Sequence, residues 1–138
     1  MLAPMPMAPT TASAEVREFW RERHVSTLTT LRPDGRPHVV PVGVTVDDEF
    51  GIARVICSRG SVKARNVRAA GPEGAPVAVS QVDRRRWSTL EGRAVVRDDP
   101  ESVRDAEDRY AERYRRRPRE NPQRVVLEIT LERRLGMP

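Results

Sequence analysis

A chain of 138 residues with 25 Lys and Arg against 20 Asp and Glu carries a formal charge of +5, and 38% of its residues are hydrophobic. One domain is the expectation at this length. No run reaches the ~20 apolar residues that a membrane helix needs, and a single cysteine excludes an internal disulfide or a multi-cysteine metal site. The positive balance favours anionic partners. Nucleic acid is disfavoured, because aromatics make up only 4% of the residues and no recognition motif interleaves them with arginine.

The segment Met1 to Ala12 is rich in Met, Pro, Ala and Thr and lacks the basic start of a signal peptide. It reads as a disordered tail (residues 1–12) on a cytoplasmic protein whose domain occupies 13–138. Ser13 can cap a short helix to Arg23 that places Val16, Phe19 and Trp20 at helical spacing. Val25 to Leu31 reads as a strand, Arg32 to Arg36 as a Pro-Asp-Gly turn, and Pro37 to Val46 as a second strand, making a hairpin. In that second strand Val40, Val42, Val44 and Val46 share the core-facing side. The other side holds Val39, Pro41, Gly43 and Thr45 and is nearly bare backbone. Such a face marks either close approach by a ligand or second chain, or a bulged edge strand.

Strand Ile52 to Ser58 contains Cys57, which reads as a small buried hydrophobe. It runs into Ser58-Arg59-Gly60-Ser61-Val62-Lys63-Ala64-Arg65-Asn66 and a helix to about Ala69. Lys63 is the chain's single lysine beside 24 arginines. Helix-start N–H groups, a glycine permitting close approach and an ammonium together make a phosphate site. An ordinary Ser61 cap on a surface helix explains the same residues. A Gly/Pro-rich loop (71–76), strand Val77 to Val82, the run Asp83-Arg84-Arg85-Arg86 and strand Trp87 to Arg97 follow. Asp99 and Pro100 open a helix whose stripe of Val103, Ala106, Tyr110 and Tyr114 reads as packing. Pro118 and Pro122 end it, Val125, Leu127, Ile129 and Leu131 alternate as a last strand, and Glu132 to Pro138 reads as a tail. The order implies a mainly β fold, a six-stranded barrel with helices at its openings.

The chain resembles the flavin/deazaflavin split β-barrel superfamily of pyridoxamine-phosphate oxidases and actinobacterial F420-dependent enzymes, and within it the F420-dependent biliverdin reductase type. The resemblance runs from about Val16 to Gly136. It is carried by Glu22-Arg23-His24, Leu28-Thr29-Thr30-Leu31-Arg32, Pro37-His38-Val39-Val40, Gly60-Ser61, Ser80-Gln81-Val82-Asp83, Leu90-Glu91-Gly92-Arg93-Ala94 and Arg113-Tyr114-Arg115 among others. Pro41 and the Arg84-Arg85 insertion are local departures.

The resemblance implies a homodimer with coenzyme F420, or less readily FMN, in a groove between subunits. Ser58, Arg59, Gly60, Ser61 and Lys63 would hold the phosphate and Asn66 would brace the loop. The ring would lie against His38, Val39, Val40, Pro41 and Val42, with Gln81 and Trp87 lining the groove and residues near Leu135 closing it. The implied reaction is hydride transfer from reduced F420 to a conjugated acceptor, biliverdin at its C10 methine. A quinone or enone reductase and a non-catalytic F420 or tetrapyrrole binder are the alternatives. Arg84, Arg85 and Arg86 would meet the substrate's propionates. His38 is a candidate proton donor, though a structural role explains it too. No metal, nucleic acid or membrane is implied.

Overall fold

The computed structural model describes residues 12–137. Its elements are α1 (Ala14–Arg21), β1 (Ser26–Leu31), β2 (Pro37–Val42), β3 (Val44–Val46), β4 (Ile52–Ser58), α2 (Val62–Ala69), β5 (Ala75–Asp83), β6 (Arg86–Arg97), α3 (Pro100–Tyr114) and β7 (Arg124–Met137). The strands form one antiparallel sheet in the order β2-β1-β5-β6-β7-β4-β3. Its two edges, β2 and β3, are separated in the chain by Gly43 alone. Adjacent Cα atoms lie about 3.8 Å apart, so the edges must meet there and the sheet must curl. The result is a barrel joined at one corner by chain continuity and split along the rest of its seam.

The mainly β fold with flanking helices is as expected, but among the described residues there are seven strands rather than six. The stretch 37–46 is two strands because α3 packs against its middle. A Cβ at Gly43 would sit 2.7 Å from the Tyr110 ring and 3.2 Å from the Tyr114 ring. The Val44 N–H donates to Tyr114 Oη (3.1 Å) instead of a strand carbonyl, and that hydroxyl donates to the His24 carbonyl (2.8 Å). The alternation of valines continues through the break: Val42 and Val44 are buried, and Val40 and Val46 pack against the core. The second correction is at the C-terminus. Glu132 to Met137 is strand, not tail, paired with β6 from Arg133↔Glu91 to Met137↔Trp87. A bulge between Glu91 and Gly92 sets that register, and a Cβ at Gly92 would lie 2.1 Å from the Thr130 carbonyl oxygen.

Inside the barrel Leu28, Val44, Val55, Val79, Leu90, Leu127 and Ile129 are fully buried, each contributing roughly 1.5–3 kcal/mol. The caps form as the residue types require: Ser13 accepts from the Val16 N–H, Ser61 from Ala64 and Asp99 from Ser102, with Pro100 in the first turn of α3. α1 buries Val16, Phe19 and Trp20 over the barrel. Ala12, placed in the tail by sequence, is buried with them; the rest of that expected tail lies outside the described residues. Arg113 fastens α3 to this end by donating to the carbonyls of Glu22 (2.7 Å) and Val44 (2.5 Å) and to Gln81 Oε1 (3.0 Å). No helix among the described residues is long and apolar enough to cross a membrane.

Candidate functional site

Between the β2 edge and β4 the seam opens into a cleft of about 430 Å³. Pro41, Val42 and Gly43 form one wall and Ile56 another. Lys63 of α2, Tyr110 of α3, Arg116 to Arg119 and Arg124 complete the lining. Of the candidate anion residues Lys63 lines the cleft beside the bare strand, while Ser58, Arg59, Gly60 and Ser61 are not part of its lining. β2 is an edge strand, so its backbone groups on the seam side are outside any ladder. On its outward face Val39 is 57% exposed and Pro41 is exposed. Close approach to Gly43 is made by the protein's own tyrosines, while Val39 and Pro41 leave the strand open.

The anion turn is held rigidly from behind. Ser58 Oγ accepts from Asn121 Nδ2 (2.9 Å), and the Arg59 N–H donates to the Gln123 carbonyl (2.8 Å). The Arg59 guanidinium lies 3.5 Å from Asp98. Buried Asn66 donates to Thr30 Oγ1 (2.9 Å) and ties α2 to β1. These residues shape the turn, whereas the first-turn N–H groups of α2 have no intrahelical carbonyl to bond. A Cβ at Gly60 would meet open space, so no protein contact demands glycine there. Cys57 beneath the turn is buried, and burial pushes its thiol above the usual value, as befits a packed side chain.

Other residues singled out from the sequence lie elsewhere in the protomer. His38 is half-buried and lines a second cleft of about 630 Å³, with Arg32, Arg65 and Asn66 around it. Gln81 is 2% exposed and lines neither cleft. It accepts from Ser26 Oγ (3.0 Å) and Arg113, and donates to the Phe19 carbonyl (2.8 Å). Trp87, the second residue of β6, lies opposite Met137, and Leu135 pairs with Thr89 inside the sheet. Arg84 and Arg85 form the exposed tip of the β5–β6 hairpin.

Arg86 makes a two-pronged bond to Glu22 (3.0 and 2.9 Å), another to Asp83 (2.5 Å), and lies over the Phe19 ring. The bonds from Arg86 and then His24 hold the Glu22 carboxyl at about 2. Glu22, His24 and Asp83 bring three ligand atoms within 4.8 Å, but the Arg86 guanidinium inserted among them repels a cation. The sequence reading missed Tyr110 and the arginines 116, 117, 119 and 124 as cleft residues. Its one signal was the basic run Arg113 to Arg119, which looks like a solvated surface until α3 is placed.

A curled antiparallel sheet split at a seam, with helices at its openings and a cleft beside an open edge strand, defines the class of split β-barrels. The pattern of the pyridoxamine 5'-phosphate oxidase family matches residues 12–137, and the chain belongs to that family. It is 53% identical over 127 residues to the F420H(2)-dependent biliverdin reductase of Mycobacterium tuberculosis, covering 92% of this chain and 89% of that protein. Among solved structures, a conserved hypothetical protein of Mycobacterium tuberculosis superposes with a TM-score of 0.76 at 24% identity over 96% of this chain and 88% of that one. An F420 reductase superposes with a TM-score of 0.67 at 22% identity over 86% and 94%. These two likenesses establish the shared fold.

Proposed function

We propose that the protein is a cytoplasmic F420-dependent reductase that passes a hydride to biliverdin, with the cofactor in the seam cleft. The observation that carries this reading is that Lys63, in the first turn of α2, lines one cleft with Pro41 and Val42 of the open β2 edge. The residues fit an anionic deazaflavin. The Lys63 ammonium and the N–H groups of Val62 and Lys63, which have no intrahelical carbonyl to bond, suit a phosphodiester. Gly60 leaves room above them, and the edge backbone from His38 to Val42 offers main-chain groups to a flat polar ring. Reduced F420, when bound, supplies a two-electron hydride, and the protein's task is position and field. Ser58, Ser61 and Asn66 keep the turn in shape through the bonds described above. The Tyr110 ring, pressed on Gly43, floors the cleft and keeps water from that end of the strand.

The sheet's outer surface supports a homodimer. The outward residues of β1, β2 and β5 are Thr27, Thr29, Leu31, Pro37, Val39, Pro41, Pro76, Ala78, Ser80 and Val82, on three adjacent strands without one charge. Val82 is 67% and Leu31 45% exposed in the protomer. In a chain with 33% charged residues, such a face supports burial against a second copy. A partner seated there would border the β2 wall of the cleft.

The test is titration followed by turnover. F420 should quench tryptophan fluorescence and FMN should not. Lys63→Ala should weaken F420 binding by roughly 1.5–3 kcal/mol with the fold intact. Anaerobic mixing of the protein and reduced F420 with biliverdin should shift the bilin absorbance. Binding without that shift would leave a carrier rather than a reductase, and unchanged affinity in Lys63→Ala would move the phosphate elsewhere.

A further inference from the structure

Several surface arginines sit beside a carboxylate, for example Arg36 with Asp34 (2.8 Å), Arg109 with Asp105 (2.9 Å) and Arg97 with Glu128 (3.3 Å). The seam cleft gathers cations in another kind of setting. Five cations line it, Lys63, Arg116, Arg117, Arg119 and Arg124, and no Asp or Glu does. Arg124 is backed by Glu107 (2.7 Å) and Arg117 by Asp108 (2.8 Å). Among the described residues, Lys63, Arg116 and Arg119 have no carboxylate within 4.0 Å. Three of the cations come from one short segment. α3 ends on Arg115 in the left-handed region, φ 57°, and Pro118 cannot continue a helix, so Arg116, Arg117 and Arg119 are turned along the cleft instead of around a helix. Like charges crowded in this way repel one another until an anion joins them.

We propose that Arg116, Arg117 and Arg119 form a carboxylate receptor at the cleft mouth, separate from the turn at Lys63. The planar guanidinium fork matches a carboxylate with two parallel bonds, and several forks on one turn suit an acid carried on a flexible arm. The inference rests on reading the cleft as the ligand groove of the proposed reductase. Two ligands of that reaction carry such arms: the glutamate tail of F420 and the propionates of biliverdin. It also transfers to this wall the role that the sequence suggested for Arg84 to Arg86, of which Arg86 is already bound to Glu22 and Asp83.

The experiment compares the full chain with the triple variant Arg116→Ala, Arg117→Ala, Arg119→Ala. Equilibrium binding is read by tryptophan fluorescence at fixed ionic strength, with biliverdin against its dimethyl ester and F420 against F420 stripped of glutamates. The triple variant should lose roughly 10- to 100-fold in affinity for an acid-bearing ligand and nothing for its esterified or stripped counterpart. Loss confined to the bilin pair identifies the propionates as the source, and loss confined to the cofactor pair identifies the tail. The three-lysine version should recover part of the loss, which separates receptor from folding damage. A charge-matched control, Arg23→Ala, Arg104→Ala, Arg133→Ala, should leave all four affinities in place. The receptor is overturned if the triple variant binds every ligand like the wild type, weakens both members of a pair equally, or is matched by the control. Failure of the wild type to bind F420 at all would instead sink the proposed reductase, while the bilin pair would still judge the receptor.

Discussion

Replacing Gly43 by alanine tests whether α3 sets both the strand break and the width of the cleft. The new methyl carbon would start 2.7 Å from Tyr110 Cε2, 3.4 Å from Tyr110 Cδ2 and 3.2 Å from Tyr114 Cε2. Ordinary carbon contacts lie near 3.5–4.0 Å, so one ring must move by about 1 Å. Tyr114 cannot move cheaply, because it is buried and its hydroxyl bonds the Val44 N–H and the His24 carbonyl. Tyr110 is half-buried and lines the cleft, so its ring should swing into that space. Overpacking typically costs 1–3 kcal/mol, and a ring with solvent on one side belongs at the lower end, about 1–1.5 kcal/mol. For a chain of this length that is a fall in Tm of roughly 3–5 °C.

The same displacement should narrow the cleft and weaken F420 binding several-fold without altering the turn at Lys63. Urea denaturation and fluorescence titration of Gly43→Ala, Tyr110→Ala and the double variant form a cycle. Removing the Tyr110 ring should abolish the clash, leaving a coupling of about 1 kcal/mol between the two sites. Strict additivity, or a Gly43→Ala protein as stable and as tight-binding as the wild type, would refute the steric account.

The Glu22 carboxyl lies at about 2 in the fold against 4.5 when unperturbed, so the stabilisation it carries is complete above pH 4.5 and drains away as pH falls toward 2. The side chain is a third exposed, and solvent screening reduces its worth to about 1 kcal/mol; urea curves of wild type and Glu22→Gln should differ by that amount at pH 7 and converge near pH 2, and coincidence at pH 7 would remove the pair from the stability argument. Arg115 holds φ 57° at the end of α3, where a side chain costs roughly 1 kcal/mol. Arg115→Gly should raise Tm by about 2–3 °C, and a lower Tm would mean that the guanidinium makes a contact worth more than the backbone strain.

Local chemistry made much of this fold legible. The Pro-Asp-Gly turn, the valine alternation and the Ser13, Ser61 and Asp99 caps each depend on residues within a few positions of one another. The break at Gly43 was not legible for the opposite reason. Its valines keep their period of two while the strand changes neighbours, and the cause is Tyr114, 70 residues beyond Val44. Glu132, Arg133 and Arg134 disguised the end of β7, since charged residues pair through their backbone as well as apolar ones do. Gln81 was expected, from the resemblance, to line the groove. Its partners come from β1, α1 and α3, and only with all three in place is it an interior hydrogen-bond hub. The Lys63 turn was visible as a candidate because a helix start, a glycine and a lysine are adjacent in sequence; its joining with β2 required the curl of the sheet.

The two ends of the cleft are built by different helices, and this has a consequence for ligand affinity. The Lys63 end depends on α2, braced by Asn66 on Thr30 and by Asn121 on Ser58. The other end depends on α3, which is pinned by Arg113, presses Tyr110 on Gly43 and ends in the arginine wall. Few of these bonds are shared, so α3 and the arginine wall can change with little effect on the turn at Lys63. Distant, unconnected sites add in free energy. By the same reasoning, effects of Lys63→Ala and of the arginine triple variant on F420 affinity should sum within about 0.5 kcal/mol. A coupling well beyond that would mean that one anionic group of the ligand bridges both ends, and the division of labour between the helices would have to be abandoned.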